Sequence, residues 1–529
     1  VWVCTFLAFV AAGTAWSLAQ PLLSTADEGQ HFLEAQAVWS GQFTPKLVPD
    51  DGPMKDGLIR VHNLIGALDH HHGFRCFNGY PDISAKCDTR PLTTTTREVD
   101  VGSYVAREPP VPAILDGLPS ALDPDRTGFV LSRLLDSVIT AAALATAIAM
   151  CLRRRRPLLA AGVVIALTPC GLAEAGAIGS SQTEVAAAIL TWTAVALLVT
   201  GETVRARFVL VGTLAATIFV LSRPVSLLWA ALAALVIVAA SNRARLREIL
   251  TSWVAWIGIV VLVAASAAAG LWAVYLEAPA TPNTRFVRDQ RIPHGIIARI
   301  GIVLGSVHST FPSMIGDTGG SYHGPWWTIA IWIALTGAVL LAGIALAPAR
   351  LAVTIVGLVI AGVGVSFAFQ VRELAQLGYF WHGRYDLPTF AGIVILAAAP
   401  LDAGVAQLPR LARLSTVVVV GAAAAQILEL GGALRRFTVG LEGTVNPFGW
   451  HDGWHPPISA VVLLGVGAAV LAGTYASLGV WMHLARPPSA TPTEAPGVTR
   501  DEPPGAAVTS IDGDDPSDRE AAFDVQGAP

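Results

Sequence analysis

Apolar runs of about 20 residues recur along nearly the whole chain, separated by short basic stretches and a few longer polar ones. A helical run of that length crosses a hydrocarbon core of about 30 Å, and it is far too long for a barrel strand. Twelve spans are predicted: 1–20, 129–151, 157–173, 182–200, 208–222, 225–241, 251–276, 326–347, 351–369, 386–401, 415–433 and 458–483. The pattern therefore predicts an all-α polytopic membrane protein with about 12 transmembrane helices. A long extracytoplasmic loop over 21–128 follows the first helix, and a multi-helix body fills 129–485. The first run lacks a basic leader and a small-residue cleavage site, so it reads as a retained helix rather than a signal peptide.

Composition agrees with the pattern. The 529 residues are 53% hydrophobic and 14% charged, with a mean hydropathy of +0.58, whereas soluble domains carry about 25% charged residues. Net charge is -4, but 487–529 holds nine acids and two arginines, which leaves +3 on the rest. That balance does not suggest a nucleic-acid partner. The segment 486–529, rich in Pro, Ala, Asp and Glu, cannot bury a core and is expected to be a disordered acidic tail. Arginine sets the expected orientation. Arg153 to Arg156, Arg205/Arg207, Arg243/Arg245/Arg247, Arg350, Arg410/Arg413 and Arg486 follow every second span. The positive-inside rule puts them in the cytoplasm with both termini. Loops 277–325, 370–385 and 434–457 are then outside with 21–128, although Arg285, Arg288 and Arg291 fall in an outer one.

Polar chemistry concentrates in those outer loops. Asp27-Glu28 stands just beyond the first span, at the start of a short helical pattern through Phe32, Ala35 and Trp39. Two readings stand. Ser24 or Asp27 caps that helix and the acids complement its dipole, or Asp27 works with His31, one turn on, to hold a cation or pass a proton. His70-His71-His72 reads as a solvated turn, since three consecutive histidines on an irregular stretch cannot converge on one ion. Glu98 and Asp100 share one side of an extended segment and offer a second acidic contact. Arg107-Glu108-Pro109-Pro110-Val111-Pro112 is a stiff return towards the membrane that carries one candidate phosphate ligand, Arg107. Arg133 and Asp136, three apart within the second span, read as an internal ion pair. Glu174, Glu184 and Ser222-Arg223-Pro224 bring further charges to the same face. Trp381-His382-Gly383-Arg384-Tyr385 sets a guanidinium at headgroup depth, suited either to a lipid phosphate or to interfacial anchoring. Asn446 to His455 combines tryptophans with hydrogen-bonding groups that suit a sugar face or the membrane interface. Cys76 and Cys87, eleven apart in the first loop, are a possible disulfide if that loop meets an oxidising compartment.

Several of these pieces recur together. Asp27-Glu28 with His31-Phe32, Pro109-Pro110, Arg133, Leu167-Thr168-Pro169, Ser222-Arg223-Pro224 and Gly383-Arg384-Tyr385 with Pro388 resemble, in order, the bacterial DUF2142 membrane family. Its members look like GT-C type glycosyltransferases. The chain departs from the family pattern in Thr25-Ala26, where prolines are usual, and in Ser180 to Glu184, where Asn-Pro-Asp is usual. It also lacks a tyrosine after Pro109-Pro110.

The resemblance implies a GT-C-like fold in a bacterial cell membrane. It also implies transfer of a sugar from a polyprenyl-phosphate carrier to an envelope glycan, lipid or protein acceptor on the outer face, usually with inversion. Asp27 would be the base or a metal-supported acid, and Glu28 would assist it. Arg384, Arg223 and Arg107 would hold phosphate, and His31 and Tyr385 would line the substrate. Mg²⁺ or Mn²⁺ would share the work, with Asp27 and His31 as ligands. A transporter or flippase of a lipid-linked saccharide, or a non-catalytic scaffold, are the competing expectations. The sequence is silent on oligomeric state.

Overall fold

The computed structural model describes residues 1–47, 57–65, 77, 80–86, 93–201, 204–277, 292–293, 295–316, 324–378, 381–444, 446 and 454–486. Cys76, Cys87, His70 to His72, Arg285, Arg288, Arg291, residues 447–453 and the tail from 487 lie outside the described residues.

Helices dominate. The principal ones are α1 (Trp2–Ala19), α2 (Glu28–Trp39), α3 (Val111–Asp116), α4 (Leu118–Leu122), α5 (Arg126–Arg153), α6 (Pro157–Ala166), α7 (Pro169–Glu174), α8 (Ser180–Thr200) and α9 (Ala206–Val220). After them come α10 (Ser226–Ala240), α11 (Arg243–Thr251), α12 (Trp253–Trp272), α13 (Ile296–Gly316), α14 (Trp326–Leu346), α15 (Ala349–Leu377), α16 (Leu387–Ala398), α17 (Leu414–Val439) and α18 (Ala460–Leu484). Among the described residues, 10 helices are long and apolar enough to cross a membrane, and α6, α9 and α10 are shorter apolar helices.

Three features differ from the sequence reading. The span expected at 157–173 breaks into α6 and α7, because Thr168 leaves the helix to cap α7 through the Gly171 amide and Pro169 starts the new turn. The stretch 277–325, read as an outer loop, contains the 21-residue helix α13. Arg299, His308 and Pro312 interrupt its hydropathy, and its buried residues other than Val303 gather at its last turn, Ser313 to Gly316. Finally, Glu98 and Asp100 flank the exposed Arg60 at 3.8 and 3.9 Å, on the outside of a small sheet.

That sheet belongs to the first loop. Strands β1 (Lys46–Leu47), β2 (Gly57–Val61) and β5 (Val99–Ser103) pair antiparallel in the order β1-β2-β5, with Ile59 opposite Val101. A second pair joins β3 (Leu64–Ile65) to β4 (Thr93–Thr94). Alternation turns Ile59, Val61 and Val101 to one side, where they pack with Phe32 and Leu33 of α2 and Phe129 of α5. The loop thereby acquires a core that seats α2 on the membrane body.

The centre of the body is α6, all ten of whose residues are buried, and α16, with eleven of twelve buried. Trp192 of α8 lies against Gly392, too close for a Cβ there, and donates to the Pro388 carbonyl at 2.9 Å. This fixes the start of α16 and the turn that precedes it. On α5, Arg133 and Arg153 are twenty positions apart, a rise of about 30 Å. The Arg153 end gathers the basic connections: Arg156 donates to Thr200, Arg245 to Gly201 and Arg350 to the Ser241 carbonyl. The acidic motif is at the Arg133 end.

Candidate active site

Asp27 immediately precedes α2, in the left-handed region at φ 65°. Asp visits that region more readily than most residues, because its short side chain finds local partners. Its main-chain carbonyl accepts from the amides of Gln30 and His31, as a helix start requires. The carboxylate, however, makes no cap bond. It turns outward, where Oδ2 accepts from Nη2 of Arg384 at 2.6 Å and Oδ1 accepts from the Tyr104 hydroxyl.

Glu28 goes the other way. Expected to assist Asp27, it is instead fully buried and gripped by Arg133, with Nε 2.6 Å from Oε1 and Nη2 2.8 Å from Oε2. The Ile178 amide donates to the same carboxylate. The other Arg133 donors reach the carbonyls of Ser17, Gln20 and Pro21, so all five of its N–H groups are used. Arg133 thus binds α2 to the end of α1, and does not pair with Asp136. Asp136 is instead fully buried, with Asp116 of α3 nearby.

Arg384 reaches Asp27 from the turn Gly383–Tyr385. A Cβ on Gly383 would lie 2.3 Å from the Met314 amide nitrogen and 2.5 Å from the Thr310 carbonyl, so the turn rests directly on the backbone of α13. Ser313 Oγ accepts from the Gly383 amide at 3.0 Å, and Thr168 donates to the Met314 carbonyl at 2.9 Å. The helix hidden in the expected loop is therefore the support for the guanidinium.

Tyr385 connects Arg384 to a second cation. Its ring centroid is 5.2 Å from the Arg384 guanidinium carbon and 4.9 Å from that of Arg223, within cation–π range. Arg223 stands 3.7 Å from Glu108 and 3.9 Å from Glu184. Arg107 is buried nearby in sequence, and its carbonyl accepts from the Trp272 indole at 2.8 Å. Nε of Arg384 and Nη1 of Arg223 are buried without a hydrogen-bond partner.

His31 faces Glu34, with Nδ1 3.3 Å from Oε2. Burial, with the cations Arg223 and Arg384 nearby, pushes His31 down to about 4 despite the acids Glu108 and Asp27. The imidazole is neutral at ordinary pH. Burial raises the Asp27 carboxyl, but Arg384, Tyr104 and His31 outweigh it and hold the group well below the usual carboxylate range. Burial and the Asp27 charge raise Tyr104, which keeps its proton to donate. Glu34 is raised by burial and by Glu108 and Asp116, and Asp116 is pushed up by burial to about 7.

Both Asp27 oxygens and the imidazole Nδ1 of His31 have protein partners in this arrangement. Among the described residues, no group of three His, Cys, Asp or Glu side chains is placed to hold a metal ion.

The structure brings Asp27, Arg384, Tyr385, Arg223 and His31 into one network and separates Glu28 from it. Sequence reasoning missed Tyr104, Glu34 and Glu108. Tyr104 and Glu34 carry no periodic signal, and Glu108 was visible only as the neighbour of Arg107. The fold and the site define a polytopic helical membrane protein with a buried charged network where its first extramembrane segment meets the bundle. The description "Predicted membrane protein (DUF2142)" matches residues 9–393, and the chain belongs to that family. It is similar to a crystal structure of ArnT from Cupriavidus metallidurans bound to undecaprenyl phosphate, at 15% identity, covering 92% of this chain and 77% of that one, with a TM-score of 0.40. Comparison with curated proteins finds no match.

Proposed function

We propose that the protein is a membrane glycosyltransferase that moves a sugar from a polyprenyl-phosphate donor to a cell-envelope acceptor. The observation that carries this reading is the contact between the Asp27 carboxylate and the Arg384 guanidinium, 2.6 Å apart. It puts a proton acceptor and a phosphate-binding group within one substrate's reach. The ordered motifs shared with the family support the same reading.

In this reaction the acceptor hydroxyl oxygen attacks the anomeric carbon as the bond from that carbon to the phosphate oxygen breaks. The bonding pair leaves with the phosphate, and the acceptor proton passes to Asp27. Arg384 stabilises the charge that develops on the leaving phosphate, with its Nε among the donors not already engaged. Before substrate binds, Arg384 neutralises Asp27. Once the guanidinium turns to the phosphate, the carboxylate loses part of its counter-charge and becomes a stronger base. Tyr104 keeps it oriented through its hydroxyl. Glu28 has no part in these steps.

The sidedness follows from charge. The basic connections gather at the Arg153 end of α5, which the positive-inside rule assigns to the cytoplasm. The Asp27 end then faces out, where envelope acceptors are.

The test is a sugar-by-sugar comparison of envelope glycans from a deletion strain, its parent, and the strain complemented with Asp27→Asn. One sugar is expected to disappear on deletion and to stay absent with Asp27→Asn at normal membrane abundance. An unchanged glycan in the deletion strain, or full restoration by Asp27→Asn, would overturn the proposal. Transport of a lipid-linked saccharide by the purified protein, with no transfer, would do the same.

A further inference from the structure

We infer that Arg223, Glu108 and Glu184 form a subsite that reads a vicinal pair of hydroxyls on the transferred sugar; this rests on the glycosyltransferase reading above. The three side chains come from different elements. Glu108 precedes α3, Glu184 lies in the first turns of α8, and Arg223 lies in the turn before α10. Each carboxylate has one oxygen already fixed by a serine: Ser180 donates to Glu108 Oε2 and Ser226 to Glu184 Oε1, both at 2.7 Å. The remaining oxygens face the guanidinium, Glu108 Oε1 at 3.7 Å from Nη2 and Glu184 Oε2 at 3.9 Å from Nη1.

Those separations are too long for direct hydrogen bonds. Nη1 of Arg223 and Oε2 of Glu184 are buried with no hydrogen-bond partner, and Arg223 is only 5% exposed. Leaving such groups unmatched is costly. An oxygen about 2.8 Å from both a nitrogen and a carboxylate oxygen fits spacings of this size, at ordinary hydrogen-bond length. It would have to accept from the guanidinium and donate to the acid. A hydroxyl does both, whereas a phosphate oxygen only accepts and would be repelled by two adjacent carboxylates. There are two such spacings, on adjacent nitrogens of one planar guanidinium, so the matching ligand carries two neighbouring hydroxyls. Tyr385, in contact with both Arg223 and Arg384, sets this subsite beside the phosphate end of the site.

The test uses purified full-length protein in detergent, with affinities read by thermophoresis. The probes are farnesyl phosphate and its mannosyl, galactosyl, glucosyl and arabinofuranosyl esters. At least one ester is expected to bind about tenfold more tightly than farnesyl phosphate itself, the equivalent of one or two good hydrogen bonds. Removing either hydroxyl of the vicinal pair from that ester should erase the gain, as should Glu108→Gln or Glu184→Gln. If a variant melts early, the deoxygenated esters on the unmodified protein decide alone. Equal binding of farnesyl phosphate and every ester would overturn the subsite and leave the lipid-phosphate reading intact. Undiminished affinity for the deoxygenated esters would also overturn it. Failure to bind any of the probes, farnesyl phosphate included, would remove both.

Discussion

The Asp27 carboxylate and the Arg384 guanidinium meet at 2.6 Å across 357 positions of sequence. One belongs to the first extramembrane segment and the other to the turn before a central helix, so their contact closes the site. If Asp27 takes the proton and Arg384 holds the phosphate, the two substitutions should act on the same step. Asp27→Asn and Arg384→Gln are each expected to lower sugar transfer by 100-fold or more, on the order of an acid–base or charge-stabilising contribution. The double variant should be little worse than the poorer single one. Transfer assays on the four proteins test this, and multiplicative losses would argue that the residues act separately.

Adjacent acids should differ in how much stability each contributes. Glu28 is bound by a fully engaged Arg133, and Glu28→Gln leaves that buried cation without its counter-charge. A loss of about 3–5 kcal/mol is expected. Asp27→Asn keeps a residue type that tolerates the left-handed backbone but leaves the buried Arg384 without its carboxylate, so it should melt below the parent, by less than Glu28→Gln because Asp27 is a quarter exposed where Glu28 is fully buried. Thermal unfolding in detergent, followed by monodispersity, separates the two.

His31 gives a pH signature. Its folded value lies below the ordinary 6.5, at about 4, so between these limits the unfolded chain binds the extra proton. Its contribution to stability is complete above about pH 6.5 and is lost as pH falls towards 4. Asp116, raised to about 7, acts in the opposite sense over an overlapping range. The parent curve alone is therefore ambiguous, but the difference between parent and His31→Gln isolates the imidazole. That difference should shrink as pH drops from 7 to 4.5. A constant difference would mean that His31 is not held neutral by the fold.

Gly383→Ala probes the support beneath Arg384. The new Cβ would meet main-chain atoms of α13 at 2.3 and 2.5 Å, which cannot swing aside as a side chain can. Overpacking of this kind costs about 1–3 kcal/mol. Transfer should fall further than the lost stability explains, because the guanidinium moves with the turn. Activity equal to the parent at a temperature where both are folded would contradict this.

Tyr104→Phe removes one donor to Asp27 and leaves Arg384 in place. A hydrogen bond to a charged group contributes about 1.5–3 kcal/mol. Asp27 should titrate higher than in the parent, and transfer should slow by roughly tenfold to 100-fold because the carboxylate loses the partner that orients it. The acid limb of the pH–rate profile is the sensitive readout, and it should move upward.

Much of the architecture was written in local pattern. Lipid demands long apolar helices, so run length alone identified the membrane class and located most spans. The motifs with a charge at a boundary, Asp27, Arg223 and Arg384, were visible because a charge beside a span is conspicuous. Three things depended on tertiary structure. Glu28 and Asp27 are neighbours in the chain, but helix geometry sends successive side chains in different directions, and only the position of Arg133 shows which one is buried. Helix α13 is interrupted by polar residues and a proline, so its hydropathy hid it, and its role under Gly383 depends on packing. Arg223 and Glu184 were expected only to share a face, and it took the docking of two separate elements to bring Glu108 and Glu184 within 4 Å of the guanidinium. Periodicity reports what each segment needs from its solvent, whereas pairing between distant charges is set by how the finished helices dock.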